Sequence, residues 1–376
     1  MTKVGTRNLG SVDRLLVKIG TSSLTYETGK LNISQLEKLV RELADLHNQG
    51  KEVILVSSGA VGAGLGRLGW DAKPRTIPEK QAAAAVGQGA LLHMYEKLFA
   101  EYGVTVGQIL LTREDFSDRR RFLNARNCLE VLMRYGVIPV INENDTVSID
   151  ELRFGDNDML AALVAGCTDA DLVIILSDID GFYAGNPREN PDARLIDFIE
   201  EITPDIEELA GGAGSKSATG GMISKLNAAK VTMHSGIPMV LARATEGGVI
   251  SRIVNGDPLG TIFLPEGKLV NKKRWIAYGS TVQGKVFVDA GAARAILRHG
   301  KSLLPSGVTG VEGVFEMGNT VSIIGPGGGE IARGVASYSC EDIAKIKGLQ
   351  TDEIEKVLGR KDYDEIIHRN NLVLDY

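Results

Sequence analysis

Short apolar segments alternate with longer amphipathic segments along the first two-thirds of the chain. The apolar segments are typical of buried strands, whereas the amphipathic segments repeat apolar residues at helical spacing. Strands are predicted at Leu15–Ile19, Val53–Val56, Val104–Leu111, Val137–Ile141, Leu172–Leu176 and Pro238–Leu241. Helices are predicted at 34–49, 79–102, 121–135, from Asn157 onward and at 224–234. Strands separated by helices predict an α/β fold with a mainly parallel sheet sandwiched by helices.

The pattern changes after about Leu264. Residues 265–275 are polar and basic and indicate a linker. Short strand-like segments follow at Gly284–Val288, Val308–Val314, Thr320–Ile324 and Ile331–Val335, with helical patterns at Ala290–Leu297 and Glu341–Ile346. This predicts a small β-rich second domain. The expected division is a first domain at 1–264, a linker at 265–280, the second domain at 281–361 and a C-terminal tail at 362–376.

Composition excludes several classes of protein. The chain has 376 residues, which favours two domains, and its net charge of −6 gives no overall attraction for nucleic acid or anionic membranes. Its 3 cysteines have no metal-type spacing and indicate a reducing compartment. No apolar run reaches membrane-spanning length, and the N-terminus lacks a signal-peptide core. A soluble, cytoplasmic protein with no membrane partner is therefore expected.

Polar residues are concentrated at the end of the predicted strand Val137–Ile141. The stretch 141–158 reads INENDTVSIDELRFGDND and contains two clusters of Asn and Asp, separated by about ten residues of strand-like character. Asn and Asp also favour turns and helix caps, so either cluster alone has a purely structural interpretation. Two clusters together favour a ligand site at the carboxyl edge of the sheet.

Cationic and glycine-rich motifs occur at other strand ends. Lys18 lies within a strand that otherwise looks buried, and it is followed by Gly20, Thr21 and Ser22, which could bind phosphate. Residues 219–225, TGGMISK, place two glycines before a helix and Lys225 in its first turn. A solvated edge lysine and an ordinary glycine cap remain the structural alternatives.

Two other glycine motifs do not fit a nucleotide-binding pattern. Residues 212–217 lack the glycine that a P-loop needs before Lys216. Gly64, Gly66 and Gly69 spell G-x-G-x-x-G, but they lie well past the end of the preceding strand. Neither motif is therefore assigned to a dinucleotide or a P-loop site.

The set and order of the strand-end motifs resemble the glutamate 5-kinases of the amino acid kinase family along essentially the whole chain. The motifs are VKIGTS, SSGA, INEND, GDND and TGGMISK, together with FLNARN at 122–127, DGFY at 180–183, NPR at 186–188 and KKRW at 272–275. Residues 281–361 resemble the PUA domain that many bacterial members carry. The segment GSKSATGG, with its extra Lys216, departs from the family pattern.

The resemblance implies transfer of the γ-phosphoryl group of ATP to the side-chain carboxylate of L-glutamate, the first step of proline synthesis. Lys18 and Lys225 would contact the phosphates, and Asp178 would hold both ammonium groups. Ser58, Asp145 and Asn157 would bind glutamate. Mg²⁺ would accompany ATP, with Asp156 or Asp158 organising it directly or through water. The implied ATP-binding residues are Lys18, Ser177, Asp178, Thr219, Gly220, Gly221, Met222, Ile223, Ser224 and Lys225.

The resemblance also implies a homo-oligomer, inhibition by proline and transfer of the product to glutamyl phosphate reductase. Two alternatives remain open. A kinase of the same family could act on aspartate, acetylglutamate, carbamate or UMP, although the INEND and GDND pair argues against it. The PUA-like region could bind RNA, but it has no dense basic patch or aromatic stacking platform.

Overall fold

The fold was established from a computed structural model, which divides the chain into two compact units. Residues 1–115 and 120–268 form the first unit, and residues 116–119 and 269–376 form the second. The structure describes residues 7, 9, 11–26, 28, 30–70, 74–148, 157–185, 187, 190, 192–211, 220–265 and 282–374. The predicted linker at 265–280 therefore lies, except for Pro265, outside the described residues.

The first unit is built on an eight-stranded sheet in the order β3-β4-β2-β1-β5-β9-β10-β8. Every neighbouring pair is parallel except β9 and β10. A separate two-stranded sheet contains β6 and β7. The strands of the unit are β1 Arg14–Ile19, β2 Glu52–Ser57, β3 Thr105–Leu111, β4 Val137–Glu143, β5 Leu172–Ser177, β6 Phe182–Tyr183, β7 Leu195–Ile196, β8 Phe198–Ile199, β9 Met239–Arg243 and β10 Thr261–Phe263. The mainly parallel sheet confirms the predicted fold class.

Helices alternate with these strands along the chain. They are α1 Thr21–Leu24, α2 Ile33–Asn48, α3 Ala60–Leu68, α4 Ile77–Ala100, α5 Arg113–Ser117, α6 Arg119–Arg134, α7 Asn157–Thr168, α8 Pro204–Leu209, α9 Gly220–His234 and α10 Val249–Val254. None of the helices in the described part of the chain is long and apolar enough to cross a membrane. The glycine-rich stretch 57–69 contains α3, which the sequence pattern did not predict.

Local sequence explains where the long helices begin. The Asn32 side chain accepts a hydrogen bond from the backbone N–H of Gln35 at the start of α2. Thr76 and Glu79 form a reciprocal capping box at the start of α4, where a proline occupies the first turn. Such caps satisfy backbone N–H groups that have no partner within the helix. The apolar faces that follow the caps pack on the sheet and form the core.

The second unit contains a five-stranded sheet in the order β12-β11-β13-β14-β15. Its elements are β11 Val282–Val288, α11 Ala290–His299, β12 Val308–Gly313, β13 Thr320–Ile324, β14 Glu330–Val335, α12 Cys340–Ile346, α13 Ile354–Leu358 and β15 Leu372–Leu374. The predicted strands and helices of this region are confirmed within a few residues. The segment assigned to a C-terminal tail contributes β15, which pairs with β14 at the edge of the sheet.

Helices α3 and α4 approach each other at two glycines. A Cβ atom on Gly64 would lie 1.8 Å from the carbonyl oxygen of Ala83, and one on Gly87 would lie 1.7 Å from that of Ala60. No side chain fits between backbones at this distance. The G-x-G-x-x-G pattern that contains Gly64 is therefore explained, at this glycine, by helix packing.

Replacing Gly64 with alanine is expected to destabilise the first unit by about 3 kcal/mol, the upper end for overpacking, because the obstructing atoms are backbone. The melting temperature measures this effect. Gly89→Ala is the matched control, since Gly89 is in α4 and a Cβ there has no neighbour within 4 Å. The control should be neutral or slightly stabilising. Equal melting temperatures for the two variants would contradict the packing explanation.

Candidate active site

A buried carboxylate joins two buried lysines at the carboxyl edge of the sheet. Lys18, in β1, places its Nζ 2.5 Å from Oδ1 of Asp158. Lys225, in α9, places its Nζ 3.1 Å from Oδ2 of the same residue. Asp158 is 0% exposed and Lys18 only 2%. Two positive charges held by one negative charge leave a net positive charge, which suits an anionic ligand.

Glycines leave space beside both ammonium groups. A Cβ on Gly20 would lie 3.8 Å from Nζ of Lys18, and one on Gly221 would lie 3.9 Å from Nζ of Lys225. Gly221 also accepts a hydrogen bond from Lys225 through its carbonyl oxygen, at 3.2 Å. The absence of side chains at these positions allows a ligand to approach the lysines and the N-terminal turn of α9.

The amide of Asn157 ties three strand-end groups together. Its Nδ2 donates to the carbonyl oxygen of Ser57 at 2.8 Å, to Oγ of Ser58 at 3.0 Å and to Oδ1 of Asn142 at 2.8 Å. Ser57 ends β2, and Asn142 lies near the end of β4. Because Asn157 and Asp158 are the first two residues of α7, this helix start joins the polar network to the lysine pair.

A cavity of about 210 Å³ lies next to this network. It is smaller than pockets for drug-sized ligands, about 300–1,000 Å³, and therefore suits a small metabolite. The backbone turns into the cavity at Gly59, whose φ of +95° is in the left-handed region that glycine adopts without strain. The cavity is lined by Thr21, Ser58, Gly59, Ala60, Val61, Gly62, Asn142, Glu143, Asp145 and Asn157.

Buried hydrogen bonds hold the strand ends that border the cavity. Oε1 of Glu143 accepts a hydrogen bond from Oγ of Ser148 at 2.9 Å, and its carbonyl oxygen accepts one from Gln88 at 3.2 Å. The Tyr95 hydroxyl lies 2.9 Å from Oγ of Ser57. Burial raises the pKa of Tyr95, so the phenol stays protonated at neutral pH. These contacts fix the ends of β2 and β4, from which the polar side chains project.

A second polar group lies where β5 and β9 end side by side. Oγ of Ser177 donates to Oδ1 of Asp178 at 3.0 Å. Oδ1 of Asp180 accepts hydrogen bonds from the Tyr183 hydroxyl at 2.8 Å and from Nη2 of Arg243 at 3.3 Å. Partial burial opposes ionisation of Asp180, but hydrogen bonds from Tyr183, from the backbone N–H of Asp180 and from Arg243 together outweigh it and lower the pKa of this carboxyl.

Most predicted site residues lie at the cavity, at the end of β5 or at the start of α9. Ser58, Asp145 and Asn157 line the cavity, while Ser177 and Asp178 lie at the end of β5. The α9 start contains the predicted residues Gly220, Gly221, Met222, Ile223, Ser224 and Lys225. Thr219 and Asp156 lie outside the described residues.

The position of Asp158 differs from the sequence expectation. The family resemblance implies that Asp178 holds both ammonium groups and that Asp158 could organise Mg²⁺, whereas the carboxylate of Asp158 contacts both lysines. The role assigned to Asp178 stays a prediction. Asn142 and Glu143 also line the cavity without having been assigned to it. The sequence contained an indication of their role, since both residues belong to the INEND cluster of polar residues.

The carboxylates of the site suit a metal ion that enters already bound to the phosphates of its ligand. The described residues contain no group of three or more His, Cys, Asp or Glu side chains that could hold an ion. Both carboxylate oxygens of Asp158 already contact ammonium groups. Mg²⁺ is commonly held by substrate phosphates, water and one or two carboxylates, and this arrangement is compatible with that mode.

The fold and the site together define an α/β protein that presents two buried lysine ammonium groups to small anionic ligands at the carboxyl edge of its sheet, as a phosphotransferase does. Comparison with known families gives the same class, since residues 13–243 match the amino acid kinase family and residues 284–358 match the PUA domain. The chain belongs to the amino acid kinase family.

Several curated relatives are similar over nearly their whole length. The chain is 56% identical to a glutamate 5-kinase of Moorella thermoacetica, with 97% of each chain covered. It is 53% identical to one of Thermoanaerobacter sp., covering 96% of this chain and 97% of the relative. It is 50% identical to one of Geobacter sulfurreducens, covering 97% and 98% respectively.

Proposed function

We propose that this protein transfers the γ-phosphoryl group of ATP to the side-chain carboxylate of L-glutamate, giving γ-glutamyl 5-phosphate and ADP in the first step of proline biosynthesis. The observation that carries the proposal is the lysine pair bridged by Asp158, joined through Asn157 to a small polar cavity. The relationship to glutamate 5-kinases supplies the substrate.

The chemistry requires positioning and charge neutralisation more than proton transfer. A glutamate side chain has a pKa near ~4.3 and is already ionised at neutral pH, so no general base is needed. One carboxylate oxygen forms a bond to the γ-phosphorus while the bond from that phosphorus to the ADP oxygen breaks. Lys18 and Lys225 lower the repulsion between the two anions and stabilise charge on the transferred group.

The order of strands in the sheet supports a layout for the two substrates. The cavity lies at the ends of β4 and β2, Lys18 comes from β1, and Ser177 ends β5 on the opposite side of β1. Glutamate in the cavity would direct its side chain towards the lysines. ATP would then lie over β5 and β9, with its γ-phosphate at the lysines and its nucleoside farther along the sheet edge.

Mg²⁺ would enter with ATP and neutralise charge on the phosphates. Asp158 is assigned as a positioning residue, because it holds both ammonium groups at fixed points instead of presenting a free oxygen to the metal. Asp156 remains the candidate for a contact to the metal or to its water shell. Both lysines and Asp158 belong to the first unit, so the catalytic role is assigned to the amino acid kinase region.

Asp145 is expected to bind the α-ammonium group of glutamate, since this residue lines the cavity and has the opposite charge. Asp145→Ala should raise the KM for glutamate by at least about 30-fold, because loss of a charge-paired hydrogen bond in a desolvated site is worth roughly 2–5 kcal/mol. The KM for ATP should change little. Steady-state kinetics with each substrate varied in turn measure both values.

Asp45→Ala provides a control for Asp145, because Asp45 is an exposed residue of α2 that accepts a hydrogen bond from Gln49. It should leave both constants unchanged. If Asp145→Ala changed only the KM for ATP, the assignment of Asp145 to glutamate binding would be wrong.

A substrate panel tests the proposed function. ATP consumption is measured with glutamate, aspartate, acetylglutamate, carbamate and UMP, and the acyl phosphate is trapped as its hydroxamate. Glutamate should be the preferred acceptor by a wide margin in kcat/KM. Preference for another acceptor would overturn the substrate assignment while retaining the kinase class.

The relationship to glutamate 5-kinases also supports proposals about partners and location. We propose a cytoplasmic homo-oligomer that is inhibited by proline and passes its unstable product to glutamyl phosphate reductase. Binding of RNA by the PUA domain is the alternative activity, and a salt-dependent mobility shift of labelled RNA would favour it. The sequence of this region provides no dense basic patch in its favour.

A further inference from the structure

Arg243 lies at the carboxyl edge of the sheet, beside the predicted nucleotide-binding residues. It is the last residue of β9 and pairs in register with Ser177, the last residue of β5. The backbone N–H of Ala244 donates to the carbonyl oxygen of Ser177 at 2.8 Å, which extends the contact by one residue. In parallel α/β sheets, ligands bind outside this edge. Arg243 is therefore close to any ligand that contacts Ser177.

The guanidinium of Arg243 is oriented by one carboxylate. Nη2 lies 3.3 Å from Oδ1 of Asp180, which also accepts a hydrogen bond from the Tyr183 hydroxyl at 2.8 Å. Hydrogen bonding to Asp180 is the largest cause of a raised pKa for Tyr183, so this phenol remains a donor at neutral pH. This contact directs one edge of the guanidinium towards Asp180, while the Arg243 side chain stays 48% exposed and accessible to a ligand.

Most donors of Arg243 are not used by the protein. A guanidinium has five N–H donors, and among the described residues only Asp180 accepts one of them. Surface ion pairs stabilise folds little, so the Asp180 contact gives a weak structural reason for an arginine here. An oriented guanidinium with free donors at a ligand-binding edge indicates recognition of a ligand.

The position in the sheet indicates which part of the ligand Arg243 would contact. Strand β5 separates β9 from β1, and Lys18 projects from β1. Two strand spacings of about 4.8 Å place β9 roughly 10 Å from β1. A nucleotide with its γ-phosphate at Lys18 extends over this distance through its phosphates and ribose, so its nucleoside end would reach Arg243.

We propose that Arg243, held in place by Asp180, binds the nucleoside part of ATP and contributes to nucleotide affinity without acting on the transferred phosphoryl group. This inference rests on the proposed function for the orientation of the nucleotide. It assigns Arg243 as a nucleotide-binding residue and Asp180 as the residue that positions it.

The proposal is tested by nucleotide binding in the absence of glutamate. Arg243→Ala should weaken binding of ADP about 5–10-fold in isothermal titration calorimetry and raise the KM for ATP by a similar factor. The kcat and the KM for glutamate should stay within about two-fold of the unchanged protein. Asp180→Ala should shift nucleotide affinity in the same direction by a smaller factor, and Arg243→Lys should recover only part of the affinity.

Inorganic tripolyphosphate separates the nucleoside from the phosphates. Its inhibition constant should be the same for Arg243→Ala and the unchanged protein, whereas AMP should inhibit the variant more weakly. Arg252→Ala is the matched control, since Arg252 is also half-exposed and paired with carboxylates, Glu246 and Asp257. This control should bind ADP normally.

Unchanged ADP affinity in a folded Arg243→Ala variant would overturn the proposal. Equal weakening of tripolyphosphate and AMP would also overturn it, because the contact would then be with phosphate. Glutamate turnover by the unchanged protein reports on the proposed function separately, since ADP binding is measured without an acceptor.

Discussion

Lys225→Ala and Lys18→Ala are each expected to lower kcat about 10²–10³-fold, with a much smaller effect on the KM for glutamate. Removing one preorganised charged group from a buried site typically lowers kcat by this factor, because such a group stabilises mainly the charge that develops in the transition state. Both ammonium groups are buried and held by Asp158, so solvent cannot replace them easily. Initial rates at saturating ATP and glutamate measure the effect.

Lys230→Ala is the control for the lysine variants. Lys230 belongs to α9, as Lys225 does, but it pairs with Glu207 and its side chain is 35% exposed. The control should keep normal kcat. Near-normal turnover in Lys225→Ala or Lys18→Ala would contradict the catalytic role proposed for that lysine.

Asp158→Asn is expected to reduce kcat about 10²–10³-fold, because the lysines lose their fixed positions, and to destabilise the first unit as well. The substitution keeps the shape of the side chain but leaves two buried ammonium groups without their shared counter-charge. Breaking a buried ion pair by removing one partner costs roughly 3–5 kcal/mol. Turnover measures the effect on kcat, and the melting temperature measures the effect on stability.

A comparison among variants separates the positioning role of Asp158 from stability alone. The activity of Asp158→Asn is measured well below its own melting temperature, with circular dichroism confirming the fold. Asp257→Asn, which removes an exposed partner of Arg252, should change neither property. A folded Asp158→Asn protein with normal kcat would contradict the positioning role. The ion pairs of Asp158 with the two lysines would then serve only stability.

The sequence predicted the central strands closely because their apolar runs are short and are bounded by polar or glycine residues. Strands β1, β2 and β5 agree with the expected segments to within one residue at each end. Helix α3 was missed because glycine lowers helix propensity and its sequence, AVGAGLGRL, is rich in it. Packing against α4 at Gly64 and Gly87 stabilises a helix that local propensity does not favour.

Pairings between side chains could not be predicted in the same way. Asp158 is the second residue of α7 and Asp178 directly follows β5, and nothing in the local sequence distinguishes them as partners for the lysines. The pairing of Asp158 arises because α7 begins at the same sheet edge at which Lys18 and Lys225 project. Similarly, the contact between Asp180 and Arg243 depends on the register of β5 with β9.

By itself, the sequence determined the alternation of strands and helices and the chemistry at the strand ends, because periodicity and residue type are local properties. It thereby indicated Lys18 and Lys225, whereas Ser58, Asp145 and Asn157 were implied by the resemblance of the motifs to those of glutamate 5-kinases. Only the tertiary structure decided which carboxylate bridges the lysines and which strand ends share one cavity. The physical reason is that strand order and register bring together residues that are far apart in the chain, and local sequence specifies neither.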